Sequence, residues 1–203
     1  MSAVEIRPVT GIAVEPWIDE LAQLRIRVFR DYPYLYDGSL EYEKNYLEQY
    51  ANSVDSVFVL ALENNLLVGA ATGLPLGDAD AAFQRAVADH DLAADKVFYF
   101  GESVLLPAYR GEGVGHRFFD LREYYAADFG FAATCFCAVQ RADNDPRRPQ
   151  DFRSLEPFWR GRGYQPVAGM TTELSWTDVG EQQETHKTLQ FWWRQLPTDR
   201  LPA

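Results

Sequence analysis

One stretch of this chain places residue types that can do chemistry at a telling spacing: GESVLLPAYRGEGVGHRFFDLREYY, residues 101–125. Arg110 is followed by Gly111, Gly113 and Gly115, with Glu112 and Val114 between them, and an amphipathic segment begins at once. A helix start leaves its first backbone N–H groups without partners, and the macrodipole adds about half a positive charge there. Glycines ahead of that start let the backbone approach an anion closely, because no Cβ stands in the way. Arg110 adds a charge-assisted contact. Glu112 can turn its side chain to solvent while its N–H faces the ligand. The spacing predicts a phosphate or pyrophosphate cradle, against the plainer alternative of a tight strand-to-helix turn.

The elements that must position this loop follow from hydrophobic period. VEIRPVTG reads as a first strand, and residues 16–29 carry Trp17, Leu21, Leu24 and Val28 at helical spacing behind Pro16. The sequence DYPYLYDGS breaks that helix and puts Tyr32, Tyr34 and Tyr36 on a loop. A second helix is predicted over residues 40–50, with Tyr42, Tyr46 and Tyr50 recurring every four residues. Two strands, SVFVLALE and LLVGAATGL, flank the turn Asn64-Asn65. Residues 77–95 read as an Ala-rich acidic helical insertion, either a lid that attracts cations or a solubilising excursion. KVFYFGESVLL is a strand, and residues 114–129 form a helix with Val114, Phe118, Leu121 and Tyr125 on one stripe. FAATCFCAVQ is an apolar strand suited to burial on both faces. SLEPFWRGRGY is a short helix, and TTELSW and THKTLQFWW pair antiparallel. Interleaved strands and helices give one α/β domain over residues 1–203 with a mixed sheet.

Composition excludes several function classes. The chain has 203 residues, is 47% hydrophobic and 14% aromatic, and carries a net charge of −11. A core is affordable on these numbers, so disorder is not expected, and the acidic balance argues against nucleic acid. No basic-then-apolar leader and no membrane-length apolar run is seen, and with two cysteines that do not pair easily a reducing cytoplasm is the expected setting. Cys135 and Cys137 share a strand face without metal spacing, so no metal is expected. A dinucleotide fold requires Gly-x-Gly-x-x-Gly, whereas the spacing here is Gly-x-Gly-x-Gly, and residues 130–140 offer no acidic residue to hold a ribose. No Gly-Lys-Ser/Thr follows, which excludes a nucleoside triphosphatase loop.

VLLPAYRGEGVG, residues 104–115, resembles the central motif of the GNAT superfamily of acyl-CoA-dependent N-acetyltransferases, and PFWRGRGYQPV resembles that family's later Phe-Tyr-x-x-x-Gly-Phe segment. The resemblance implies a mostly antiparallel mixed sheet, flanked by helices, whose central parallel strands 97–106 and 131–139 splay apart to hold a thioester. It implies acetyl-CoA, or another acyl-CoA, as co-substrate. Backbone N–H groups from Arg110 through Gly111, Glu112, Gly113 and Val114 to Gly115 would hold the pyrophosphate. Ser103, Val104 and Leu105 would pair with the pantetheine arm.

In such a family a neutral amine attacks the thioester directly. Glu102 stands where several members carry an acid and is the expected base; the alternative is a structural hydrogen bond, for instance to the Tyr32–Tyr36 loop. A free carboxylate is a weak base for an ammonium, so apolar neighbours such as Phe100 and Val104, or a water relay, are needed. Tyr34 and Tyr36 would line the acceptor pocket. The usual acidic tyrosine is replaced by Trp159, whose indole cannot usefully give up a proton, and Phe152 falls where an asparagine is common. Arg147 and Arg148 are candidates for the 3′-phosphate, against a merely solvated loop, and His116 for a phosphate contact. The expected function is acyl transfer to a primary amine of a small molecule. The alternative is a non-catalytic acyl-CoA-binding module. The terminal Phe191-Trp192-Trp193 offers either a homodimer edge or core packing.

Overall fold

The computed structural model describes residues 4–90 and 93–197. Seven strands form one sheet in the order β1-β2-β3-β4-β5-β7-β6. They are β1 (Glu5–Thr10), β2 (Val57–Glu63), β3 (Leu66–Pro75), β4 (Val97–Leu105), β5 (Ala133–Val139), β6 (Gln165–Thr177) and β7 (Glu184–Gln195). Every pairing is antiparallel except β4 with β5. The helices are α1 (Ile18–Phe29), α2 (Leu40–Asn52), α3 (Ala81–Ala88), α4 (Val114–Asp128) and α5 (Glu156–Gly161).

The sheet is covered on both faces, and period-two alternation distributes its side chains between two cores. Along β2, Phe58, Leu60 and Leu62 enter the core shared with α1, α2 and α3, while Val57, Val59 and Ala61 enter the one shared with α4. β5 behaves likewise: Cys135 and Cys137 face the first core and Phe136 the second. The turn between β2 and β3 places Asn64 and Asn65 at φ 51° and 64°, the left-handed pair that matches the twist of a two-residue hairpin.

Four expectations are corrected. Pro16 lies inside a 3₁₀ segment, Gly11–Trp17, and α1 begins only at Ile18. The buried stripe of α4 is Val114, Phe118, Phe119, Arg122 and Ala126, with Leu121 and Tyr125 only half-buried, because the helix rests on the sheet rotated by about one residue. The excursion after β3 is more than a solubilising insertion: α3 buries Phe83, Ala86 and Val87, and Phe83 stacks on Tyr99 at 4.7 Å. Residues 91–92 of that excursion lie outside the described residues. The aromatics of β7 form no dimer edge, since β7 runs between β5 and β6 and buries Phe191 and Trp192.

Strand β6 begins earlier than its pattern predicts. Its register with β7 slips between Pro166 and Thr171, and the Gln190 amide donates to the carbonyls of Val167 and Met170 in the slipped segment. A half-buried side-chain amide thus replaces the interrupted ladder.

Candidate active site

Strands β4 and β5 pair only at Val97–Ala133, Phe98–Thr134 and Tyr99–Cys135. Past that point β4 continues with β3 and β5 with β7, so the two central strands part. Just beyond the parting, the β3–β4 register shifts and Thr72 alone stands opposite both Gly101 and Glu102. Such a bulge reverses the alternation of everything after it. Val104 therefore joins the α1–α2 core and Leu105 the α4 side, the reverse of an uninterrupted strand. The Thr72 hydroxyl accepts the Glu102 N–H at 3.3 Å.

Arg122 of α4 braces the bulge from the other face. Its Nη1 donates to the carbonyls of Thr72 and Glu102 at 3.1 and 3.0 Å, and its Nη2 to Ser103 Oγ at 2.7 Å. The guanidinium lies over the rings of Phe100 and Phe119. Burial lowers its pKa to about 10, which still leaves it cationic at neutral pH. The helix that starts at the glycine loop is thereby tied to the strand segment that carries Glu102.

The bulge aims Glu102 into a cavity of about 410 Å³ that starts where the strands part. Arg25 of α1 sits between two carboxylates there. Its Nε donates to Glu43 Oε2 of α2, and its Nη1 lies 2.7 Å from Glu102 Oε2. Tyr46 donates to the same Glu102 oxygen at 3.3 Å. Burial works against the Arg25 charge, yet Glu102, Tyr46 and Glu43 carry its pKa well above the ordinary value. Among the buried polar atoms of this cluster, Oε1 of Glu43 and Oε1 of Glu102 have no hydrogen-bond partner, and Arg25 Nη1 meets Glu102 as an ion pair without an aligned hydrogen bond. Unpaired buried carboxylate oxygens are costly, so this end of the cavity is built to receive donors.

Tyrosines and Trp176 form the walls. Burial raises the phenols of Tyr34, Tyr36, Tyr46 and Tyr99, with Glu43 adding to the effect on Tyr36 and Cys137 to that on Tyr34 and Tyr99. All four stay neutral. Burial also pushes the Cys137 thiol up to about 12, against a hydrogen bond from Tyr99 that lowers it in part. Both cysteines are buried, and their protonated thiols pack rather than attack. The Tyr34–Tyr36 loop is fastened from behind: Arg141 donates to the carbonyls of Pro33 and Tyr34 and pairs with buried Asp178 at 2.9 Å. Trp176 donates to the Tyr34 carbonyl as well.

The glycine loop leads into α4 with Gly113 as its N-cap at φ 81°, and no side chain caps the helix. Gly111 is also left-handed, at φ 85°, and a Cβ at either position would meet nothing within 4 Å. Helices α1 and α2 carry acidic residues in their first turns, whereas α4 carries none. Open backbone, uncapped amides and no competing carboxylate in that first turn suit a diphosphate.

The sequence pattern of the acetyltransferase (GNAT) family matches residues 19–149. The chain belongs to that family. No curated protein matches it in sequence. Among solved structures it is similar to a ribosomal-protein-alanine N-acetyltransferase from Brucella melitensis, at 15% identity and a TM-score of 0.60 over 95% of this chain and 99% of that one. It is similar to an aminoglycoside 6′-N-acetyltransferase complexed with coenzyme A, at 14% identity and a TM-score of 0.59 over 97% and 98% of the two chains. It is also similar to yncA of Salmonella typhimurium, solved with its cofactor acetyl-CoA, at 13% identity and a TM-score of 0.59 over 100% and 99%. At these identities the likeness is one of fold.

Within this GNAT fold the expected residues fall as follows. Glu102, Tyr34 and Tyr36 line one cavity. Glu102 is bonded to Arg25 and Tyr46, not to the Tyr32–Tyr36 loop, and Phe100 points to the opposite face of the sheet. Ser103 is exposed with Oγ bonded to Arg122, while the Val104 side chain is fully buried, so only its backbone is available to a ligand. Arg110 folds back, its Nε donating to the Leu105 carbonyl at 3.1 Å. His116 lies against Arg162 and Phe158. Arg147 pairs with Asp145 and Asp178, and Arg148 lies over Phe152. Trp159 packs on Phe136 and Trp192 at ring distances of 5.0 Å.

Sequence reasoning missed Arg25, Glu43, Tyr46, Arg122 and Trp176. Three carried a signal: Arg25 follows Leu21 by four, Arg122 follows Phe118 by four, and Glu43 precedes Leu47 by four and Tyr50 by seven, each a charge on an apolar stripe.

Proposed function

We propose that the protein transfers an acetyl or other short acyl group from acyl-CoA to the primary amine of a small molecule, by direct attack of that amine on the thioester. The observation that carries this reading is the parting of β4 and β5 beside the bulge that turns Glu102 into the tyrosine-walled cavity. The thioester of acyl-CoA would supply the activated carbonyl; this chain's residues bind, orient and move the proton. The amides of residues 110–115 hold the pyrophosphate, supported by the left-handed Gly111 and Gly113. The backbone of Ser103, Val104 and Leu105 lies on the stretch of β4 that β5 no longer covers, where an extended arm can add as a strand. Oε1 of Glu102 accepts the proton an incoming ammonium must lose, while Oε2 stays with Arg25. The C–S bond then breaks, coenzyme A leaves as its thiolate, and that thiolate takes the second proton, shed by the acylated nitrogen. Among the described residues no helix is long and apolar enough to cross a membrane; an acyl-CoA donor and two free thiols support a cytoplasmic setting.

The experiment is thiol release from acetyl-CoA across a panel of amines. Turnover that is nearly lost in Glu102→Gln supports the reading. Trp159, boxed by aromatic rings and unable to serve as an acid, favours a second reading, an acyl-CoA-binding module without turnover. Tight acetyl-CoA binding with no thiol release for any amine would select it.

A further inference from the structure

We infer that the acceptor is a monoamine: one ammonium on a compact, apolar, aromatic-sized body, with no carboxylate and no second cation. This rests on the acyl-transfer reading above and names the chemistry of its pocket. The buried end of the cavity holds one guanidinium and two carboxylates, with Arg25, Glu43 and Glu102 exposed by 7%, 0% and 6%. One cation against two anions leaves a single net negative charge, which one ammonium neutralises. Its N–H groups have acceptors waiting in the unpartnered oxygens of Glu43 and Glu102.

The walls discriminate against other classes. A second cation on the ligand would meet neutral phenols and the rings of Phe29, Phe83 and Trp176, since the remaining carboxylates of the lining, Asp37 and Glu184, are exposed at the rim. A ligand carboxylate would meet an Arg25 whose charge two buried carboxylates already offset, and would lie against the unpartnered oxygens of Glu43 and Glu102, which repel it. An aromatic or bulky apolar body gains the faces of Tyr34, Tyr36, Tyr99 and Trp176, and its ammonium gains the attraction of the ring faces. About 410 Å³ is the size of a small-molecule pocket.

The test measures binding, by calorimetry with coenzyme A present, for four probes. Phenethylamine is the reference; phenylalanine adds a carboxylate, 1,4-diaminobutane replaces the body by a second cation, and 2-phenylethanol removes the charge. Phenethylamine should bind at least about tenfold more tightly than each of the others, the value of one charge-assisted hydrogen bond. Glu43→Gln should weaken phenethylamine by a similar factor and leave acetyl-CoA affinity unchanged. Phenylalanine or 1,4-diaminobutane binding as tightly as phenethylamine overturns the inference, as does an unchanged phenethylamine affinity in a folded E43Q. The probe series on the unaltered protein decides the matter even if the variant does not fold. Thiol release separates the two readings: phenethylamine bound without release leaves the monoamine class standing and removes the transfer reading, whereas release with 1,4-diaminobutane in preference does the reverse.

Discussion

Replacing Gly101 with alanine should damage stability and turnover together. A Cβ at that position would lie 2.6 Å from Thr72 Oγ1 and 2.7 Å from the Tyr50 hydroxyl, closer than real contacts allow. Neither neighbour has room to retreat: Thr72 is fully buried, Tyr50 is 4% exposed, and its ring packs on Tyr46 at 4.7 Å. Overpacking a filled site by one methyl costs about 1–3 kcal/mol. For a domain of this size that is a fall in Tm of roughly 2–12 °C. The strain falls on Thr72 Oγ1, which receives the Glu102 N–H, so the carboxylate moves with it. A displacement on the order of 1 Å at a catalytic group is worth about 100-fold in rate.

Thermal melts and thiol-release kinetics, run together, read both effects. Gly77→Ala is the control, since a Cβ there meets nothing within 4 Å and its φ is ordinary; it should match wild type or gain up to about 1 kcal/mol. Should G101A melt with G77A and keep wild-type turnover, the claim that the bulge needs a glycine to seat Glu102 is wrong.

Other perturbations probe the remaining parts. Gly113→Val forces a β-branched residue into φ 81°, at a cost of roughly 1–2 kcal/mol. It should weaken acetyl-CoA at least about tenfold by calorimetry, and undiminished affinity would contradict the amide cradle. Glu102→Gln should lower kcat about 100-fold or more while acetyl-CoA Kd holds steady; full activity would reassign the base. Asp178→Asn leaves Arg141, Arg147 and Lys187 without their common anion and should cost about 3–5 kcal/mol in urea titrations. Burial pushes the Asp178 carboxyl up, but hydrogen bonds from Arg141, Arg147 and Lys187 outweigh it and hold it below the ordinary value. Its contribution is therefore complete above the unfolded pKa of about 3.9 and lost as pH falls through the lower folded value. Below pH ~4 the wild-type urea midpoint should fall faster than that of D178N; parallel curves would exclude the linkage.

The sequence by itself determined whatever depends on near neighbours along the chain. The apolar runs of β2 and β5, the Asn64-Asn65 turn and the glycines ahead of α4 are local properties of the chain, and they were legible with the family motif at residues 104–115. Tertiary structure decided the rest. The bulge at Gly101-Glu102 exists only because Thr72 of another strand faces two residues, and it alone decides which side of the sheet Glu102 occupies. A shift of one residue in a period-two element inverts every later side chain, so local pattern could not reveal it. Glu43, a charge on an otherwise ordinary helix, became a site residue through Arg25, eighteen positions away, and through the cavity that α1, α2, β4 and β6 close together. Charges acquire their role from what surrounds them once water is removed, and only the fold supplies those surroundings.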